Sequence, residues 1–320
     1  LQPPAFWSEG GWQARLLTPL GAATAWATAR RVARPGWRAP VPVICCGNAG
    51  VGGAGKTTLA LDLLRRLQNR GGRPHALLRG YGGRELGPLL VRPEVHDARW
   101  VGDEALLLAE VAPTWVSADR AAGARAAVAQ GADAIVMDDG LQNPGLIKDG
   151  SLLVIDGGFG FGNGLLLPAG PLREPVAAAA RRCVAAVLIG PDSQGAVAQL
   201  PADLPVLRAD LMPELGRLDL DRRYLAFAGI GRPEKFFAGL AGAGVNLAGR
   251  RAFADHHPYA ASELAALAAE AQAAGAVLLT TPKDMARLPT AQRQGIAVAG
   301  VALAWADEAA LKALLEQVMA

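Results

Sequence analysis

A chain of 320 residues is long for one domain and suits two of ordinary size, and its 51% hydrophobic content excludes a disordered polymer. Lys plus Arg number 32 against 29 for Asp plus Glu, a net charge of only +3 with no basic block, which argues against a nucleic-acid binder. The three cysteines, Cys45, Cys46 and Cys183, lack zinc-site or disulfide-framework spacing and read as buried thiols in a reducing compartment.

No basic start, apolar core and small-residue cleavage site mark a signal peptide. The first helical pattern, Trp12 to Ala29, carries Arg15 and Pro19 and is a poor membrane span. Around it lie Phe6, Trp7, Trp12, Trp26, Leu16, Leu17 and Leu20, followed by Arg30, Arg31 and Arg34. Rings at headgroup depth with arginines near anionic lipid would suit a helix lying in a membrane interface. A helix packed on its own domain fits the same composition.

Val41 to Cys46 is a short apolar run leading into glycines, and Lys56 to Arg70 has helical spacing ended by Gly71-Gly72. Further apolar runs at 76–78, 114–116, 134–137, 152–155 and 185–189 alternate with helical patterns at 103–111 and 119–130. This alternation predicts an α/β fold with a mainly parallel sheet covered on both faces. From Leu207 to Tyr224 two short alternating stretches flank Pro213-Glu214-Leu215-Gly216 and suggest a hairpin-like linker. A second α/β series follows, with strands at 224–228, 248–253, 276–280 and 296–303 and helices at 234–241, 261–274 and 308–319. The expected organisation is an N-terminal interfacial region (1–34), a P-loop domain (35–206), a linker (207–224) and a smaller C-terminal α/β domain (225–320).

Gly50-Val51-Gly52-Gly53-Ala54-Gly55-Lys56-Thr57 fits G-x-x-x-x-G-K-[ST] in full, after a predicted strand and opening a predicted helix. Gly50, Gly52, Gly53, Ala54 and Gly55 let the backbone curl with its N–H groups inward, and the helix N-terminus adds partial positive charge. Lys56 is expected on the β- and γ-phosphates, the Thr57 hydroxyl on Mg²⁺, and Thr58 beside them. Downstream, the uncharged strand ending in Asp138-Asp139-Gly140 places two carboxylates where ligands bind beyond parallel strands, as candidate Mg²⁺ holders or as turn residues. How the two acids divide the work is not legible. Asp103 reads as a helix N-cap and His256 as a loop histidine, with His257 its rival, until further context is added. The P-loop alone leaves kinases of soluble small molecules and ATPase or GTPase switches open.

Seven motifs occur in the order found in tetraacyldisaccharide 4'-kinases, the lipid A 4'-kinases of Gram-negative bacteria. They are Gly47-Asn48, Arg79-Gly80-Tyr81-Gly82, Val101-Gly102-Asp103-Glu104, Asp138-Asp139-Gly140-Leu141-Gln142, the run from Pro168 to Glu174, Asp255-His256-His257-Pro258-Tyr259 and Thr281-Pro282-Lys283-Asp284. The chain therefore resembles that family from about residue 6 to about residue 290. The resemblance implies a two-domain P-loop enzyme at the cytoplasmic face of the inner membrane. Such an enzyme uses ATP and Mg²⁺ to phosphorylate a sugar hydroxyl of a membrane-held, tetraacylated glucosamine disaccharide 1-phosphate. It also implies Asp103 as the base paired with His256, closure of the domains around the substrates, and Asp138 and Asp139 on Mg²⁺. Arg79, Arg120 and Arg173 become candidate clamps for the substrate's 1-phosphate or headgroup, and Glu174 beside Arg173 is expected either to fix that arginine or to touch the site. Lys283-Asp284 lacks the Asn of a guanine-reading motif and leaves adenine, interdomain and structural roles open. The chain departs from the family pattern at Leu141, Asn143 and Thr58, where Phe, His and Pro are commoner. Oligomeric state has no signature in the sequence.

Overall fold

The computed structural model describes residues 4–216 and 218–320; of the expected N-terminal region, residues 1–3 lie outside it. Two compact units emerge: residues 4–210 with 303–320, and residues 211–302.

The larger unit opens with α1 (Phe6–Glu9) and α2 (Trp12–Val32) and continues as β1 (Val43–Gly47), α3 (Lys56–Asn69), β2 (Pro74–Leu78), β3 (Leu89–Leu90), α4 (Ala98–Val101), α5 (Asp103–Ala109), β4 (Thr114–Val116), α6 (Arg120–Ala129), β5 (Ala134–Asp138), β6 (Gly150–Asp156), α7 (Val176–Ala180), β7 (Ala185–Ile189) and β8 (Val206–Glu214). The smaller unit takes the second half of β8 and holds β9 (Arg223–Ala228), α8 (Pro233–Gly242), β10 (Asn246–Ala252), α9 (Ala261–Ala273), β11 (Val277–Thr280), α10 (Pro282–Arg287) and β12 (Ala297–Val298); β13 (Gly300–Trp305) crosses back, and α11 (Glu308–Met319) closes the chain in the larger unit.

The nine-stranded sheet runs β13-β8-β7-β6-β1-β5-β2-β4-β3. Its neighbours from β8 to β4 pair in parallel, and only the short β3 is antiparallel to β4. Strands β1, β2, β5 and β7 are buried along their whole length, which is why they read as continuous apolar runs. Strands β2 to β5 lie on one side of β1 and β6 to β8 on the other, so the chain reverses direction across the sheet at β1. A crevice at the carboxyl end of such a switch strand is where doubly wound sheets bind ligands. There β1 ends beside β5 with Cys46 opposite Asp138.

In the smaller unit β10-β9-β11-β12 form a parallel sheet with a core on each face. Alternation along β9 divides it: Tyr224, Ala226 and Ala228 pack with Phe236, Phe237 and Leu240 of α8, whereas Leu225 and Phe227 pack with Leu264 and Leu267 of α9.

Two boundaries differ from the expected ones. The connection is two-stranded, yet the partner of β8 is the distant β13 rather than a local hairpin arm: Gly300 lies beside Glu214, and the Ala306 N–H donates to the Arg208 carbonyl at 2.9 Å. The alternation at 218–220 that suggested a second arm lies in the turns before β9. Helix α11 belongs to the larger unit, not the C-terminal one. Arg66 of α3 binds both Glu308 oxygens at 2.5 and 2.9 Å and Asp62 at 2.7 Å, and Trp305 Nε1 donates to the same Asp62 carboxylate at 3.1 Å.

Helix α2 inverts the usual amphipathic order. Ala14, Gly21 and Thr28 are its buried residues, while Trp12 (71%), Leu16 (72%), Leu20 (54%) and Trp26 (65%) are exposed. At 3.6 residues per turn these four large side chains fall within an arc of about 120°, opposite the buried small residues. Arg30 projects from the same arc, with its guanidinium 5.5 Å from the Trp26 ring centre. The small face docks on residues 166–167, where Thr24 Oγ1 donates to the Leu167 carbonyl at 2.6 Å and Gly21 faces Leu166, while Trp7 Nε1 of α1 donates to the neighbouring Pro168 carbonyl at 3.0 Å. Among the described residues no helix is long and apolar enough to cross a membrane.

Candidate active site

The loop between β1 and α3 forms a glycine cradle. Gly52 and Gly55 adopt φ of 112° and 91°, a region closed to most side chains, and Gly55 is the N-cap of α3. A Cβ on Gly52 or Gly53 would meet nothing within 4 Å, so the concave side is open. The loop is braced from behind. Val51 N–H donates to the Pro171 carbonyl at 2.9 Å and Arg173 N–H to the Ala49 carbonyl at 2.8 Å. The Ala54 N–H turns back to Gly52 O at 3.1 Å. Lys56 arches over the loop, with Nζ 3.2 Å from Gly52 O and 3.8 Å from Asp139 Oδ1. Thr57 and Thr58 follow in the first turn of α3.

The two acids ending β5 have different surroundings. Asp138 is buried; its Oδ2 accepts from the Thr57 hydroxyl at 2.8 Å, and its Oδ1 has no hydrogen-bond partner. Burial raises its carboxyl well above the usual carboxylate range, reinforced by Glu104 and Asp139 and opposed by Lys56 and the Thr57 hydroxyl. Asp139 adopts a φ of 51° and is gripped by both terminal nitrogens of Arg173, at 2.9 and 3.2 Å. Burial acts to raise this carboxyl too, but Lys56, Arg173 and Arg120 outweigh it and hold it low. An orphaned buried oxygen on a carboxylate bonded to the hydroxyl that follows a glycine cradle is a donor set that fits a magnesium–nucleotide pair. Among the described residues no cluster of three or more His, Cys, Asp or Glu is arranged to hold a metal.

Behind Arg173 lies a buried polar tier. Gln142 accepts from Arg173 at 3.2 Å and donates to the Asn48 carbonyl and to Glu174, each at 2.8 Å. Arg182 closes the tier on Glu174 at 2.6 Å. Glu174 is thus buried behind Arg173, a support for the arginine shelf through Gln142. Arg120 is also buried, donating to the Ser117 carbonyl, and burial lowers its guanidinium to about 10. Arg79 is exposed at the end of β2. Asn48, Glu104, Gln142 and Arg182 had no assigned role from sequence, although the first three lie inside the recognised motifs.

Asp103 is buried as the first residue of α5, with Gly102 as N-cap at φ 86°. Its Oδ1 accepts from the Glu104 N–H at 3.0 Å, so its side chain does not play the N-cap part that sequence alone suggested. The Arg-Gly-Tyr-Gly and Val-Gly-Asp-Glu motifs touch backbone to backbone: a Cβ on Gly80 would lie 2.8 Å from Val101 O, and one on Gly102 2.6 Å from Tyr81 O. Only glycine permits that approach.

His256 belongs to the smaller unit. It is exposed, at a φ of 58°, with its Nε2 3.9 Å from Asp255 and its Nδ1 3.4 Å from Arg287 Nη2. Its neighbour is committed elsewhere: His257 Nε2 sits 3.0 and 3.1 Å from the Glu263 oxygens, and the ring stacks on Phe253. Asp139 and His256 are the two non-glycine residues with positive φ among the described residues. Asp284, of the Thr-Pro-Lys-Asp motif, is fully buried and faces Tyr259 and Gly229.

Residues 13–320 match the family model described as tetraacyldisaccharide-1-P 4'-kinase. The chain belongs to this family. It is 61% identical to the tetraacyldisaccharide 4'-kinase of Gluconacetobacter diazotrophicus, across 99% of this chain and 98% of the relative. It is 52% identical to that of Rhodospirillum centenum, across 98% and 96%. The crystal structure of LpxK from Aquifex aeolicus in complex with ATP superposes with a TM-score of 0.76 at 25% identity, covering 97% of this chain and all of that one. The family's P-loop architecture and mainly parallel sheet are those described above.

Proposed function

We propose that the chain transfers the γ-phosphate of ATP to the 4'-hydroxyl of a tetraacylated glucosamine disaccharide 1-phosphate, in lipid A biosynthesis. The observation that carries this reading is the Thr57–Asp138 pair set beneath an open glycine cradle, in a chain whose family is named for that transfer. The loop N–H groups, the α3 N-terminus and Lys56 bind the nucleotide phosphates. Thr57 and Asp138 would hold Mg²⁺, which when bound neutralises charge on the phosphate oxygens. Asp139, pinned by Arg173, keeps a fixed negative charge beside Lys56.

On the acceptor side Asp103 takes the 4'-hydroxyl proton onto a carboxylate oxygen, and His256 supports it by hydrogen bonding. Arg79 is the exposed arginine suited to the lipid's 1-phosphate. Arg173 serves Asp139 first.

The acceptor cannot leave the bilayer cheaply, since each buried CH₂ is worth about 0.8 kcal/mol. The exposed Trp12-Leu16-Leu20-Trp26 arc of α2, with Arg30 beside it, supports peripheral docking at the cytoplasmic face of the inner membrane.

Labelled ATP with the tetraacyldisaccharide 1-phosphate in mixed micelles and Mg²⁺ should give a doubly phosphorylated lipid. Hydrolysis independent of the acceptor, from folded protein, would refute transfer and favour a switch ATPase. Asp103→Ala and His256→Ala should each lower kcat with little change in ATP affinity. Losses that simply multiply in the double variant would rule out a coupled pair.

A further inference from the structure

The backbone of His256 sits in the left-handed region, which is unfavourable for a residue that carries a Cβ. The surrounding loop must supply what holds it there. The His256 N–H donates to the Gly229 carbonyl at 3.1 Å, and Gly229 is itself clamped: its N–H donates to Asp284 Oδ1 at 3.0 Å, and its carbonyl accepts from Arg287 Nη1 at 2.5 Å. A Cβ on Gly229 would lie 2.9 Å from the Tyr259 hydroxyl, so the clamp closes on bare backbone.

Asp284 is the centre of this clamp. It is wholly buried and accepts from Gly229 N–H, from the Tyr259 hydroxyl at 2.9 Å, from the Thr281 hydroxyl at 2.6 Å and from Arg287 Nη1 at 2.9 Å. The other terminal nitrogen of Arg287 reaches His256 Nδ1 at 3.4 Å. A guanidinium has five donors and no acceptor. The contact is therefore favourable when Nδ1 offers a lone pair, which in a neutral ring puts the proton on Nε2.

We propose that Asp284 and Arg287 are positioning residues: Asp284 fixes Arg287, and Arg287 holds the His256 ring in the Nε2–H tautomer. This rests on reading His256 as the partner of the base. A ring presenting Nε2–H donates to a carboxylate and turns one of its oxygens toward the acceptor hydroxyl; the opposite tautomer, presenting a lone pair, would repel it. The Thr-Pro-Lys-Asp motif thereby acquires an interior purpose, serving the histidine through Gly229 and Arg287 rather than reading a base.

Long-range ¹H–¹⁵N correlation spectra of the ¹⁵N-labelled full chain at neutral pH test the assignment. The chain has four histidines, and His256→Gln identifies the signal that belongs to His256. The expected spectrum has a protonated Nε2 and a bare Nδ1. In Arg287→Met the ring should become a mixture of tautomers and kcat should fall on the order of tenfold to a hundredfold, with KM for ATP within about twofold. Arg287→Lys, which keeps a donor, should recover part of both. Asp284→Asn should reproduce the Arg287→Met spectrum. A proton on Nδ1 in the unaltered protein, or an unchanged tautomer in Arg287→Met, overturns the proposal. Full kcat in His256→Ala would instead refute the role of His256 in the reaction, and the spectra would still judge the tautomer.

Discussion

Arg173 holds Asp139 through both terminal nitrogens while Lys56 Nζ stands 3.8 Å from the same carboxylate. The acid is thus shared between a structural fork and the P-loop lysine. Removing the fork leaves Lys56 as its closest cation and draws the lysine away from the cradle. Arg173→Ala should lower kcat about a hundredfold, and Arg173→Lys should restore little, because an ammonium cannot span two oxygens. Steady-state kinetics of both variants check this; a fully active Lys variant would mean that charge alone suffices.

Thr57 and Asp138 are bonded to each other, and one Asp138 oxygen remains unpartnered. Thr57→Val and Asp138→Asn should therefore raise the Mg²⁺ needed for half-maximal rate about ten- to a hundredfold, while Asp139→Asn acts mainly on kcat. A Mg²⁺ titration of the three variants separates the acids. An unchanged requirement in Asp138→Asn would remove that residue from the metal site.

The α2 arc predicts a surface effect without a folding effect. Exchanging Trp12, Leu16 and Leu20 together for Ser should weaken flotation with anionic vesicles about a hundredfold or more, since each such side chain contributes about 1.5–3 kcal/mol when fully buried. The unfolding midpoint should stay put, because all three are solvent-exposed in the fold. Undiminished flotation would place the anchor elsewhere.

His75 carries the pH prediction. It is buried on β2, its Nδ1 accepts from Trp115 Nε1 at 3.1 Å, and burial holds its ring below the ordinary value of 6.5. The unfolded chain therefore binds a proton there before the folded one does, so stability should fall as pH drops below 6.5. Above that pH the site contributes no slope. Chemical denaturation between about pH 7 and 5 should show a smaller loss for His75→Gln than for the unaltered chain; equal losses would remove His75 as the cause.

The sheet was legible where burial on both faces makes a strand a plain apolar run, as in β1, β5 and β7. The P-loop was legible because each of its residues has a separate physical reason to be there. Long-range partners were not. Helix α11 has an ordinary amphipathic pattern, and nothing local reveals that Glu308 waits for Arg66 across the chain. The arm that pairs with β8 comes from β13, beyond an entire α/β unit, so a hairpin was the natural local guess. Charged residues misled for the same reason. Arg120, and Glu174 in one of its two readings, look like ligand contacts in a sequence, and only the fold buries them against Ser117, Gln142 and Arg182. Sequence put His256 first with His257 as its rival, and in the fold Glu263 and Phe253 occupy the second of them.

The loop from Leu165 to Arg173 touches both ends of the enzyme's task. Thr24 and Trp7 fasten to it at Leu167 and Pro168, and Val51 and Ala49 fasten to it at Pro171 and Arg173. The loop is knotted to itself as well, with Leu167 N–H on the Leu172 carbonyl at 2.8 Å and Leu172 N–H on the Leu165 carbonyl at 3.1 Å. It ties α2 to the P-loop through a short run of backbone: were the exposed arc of α2 to dock on a bilayer as proposed, these few residues would set the height of the phosphate cradle above the lipid headgroups. A donor held at constant height would suit an acceptor whose sugars are tethered at constant depth, so the length of this spacer would matter to transfer more than its composition.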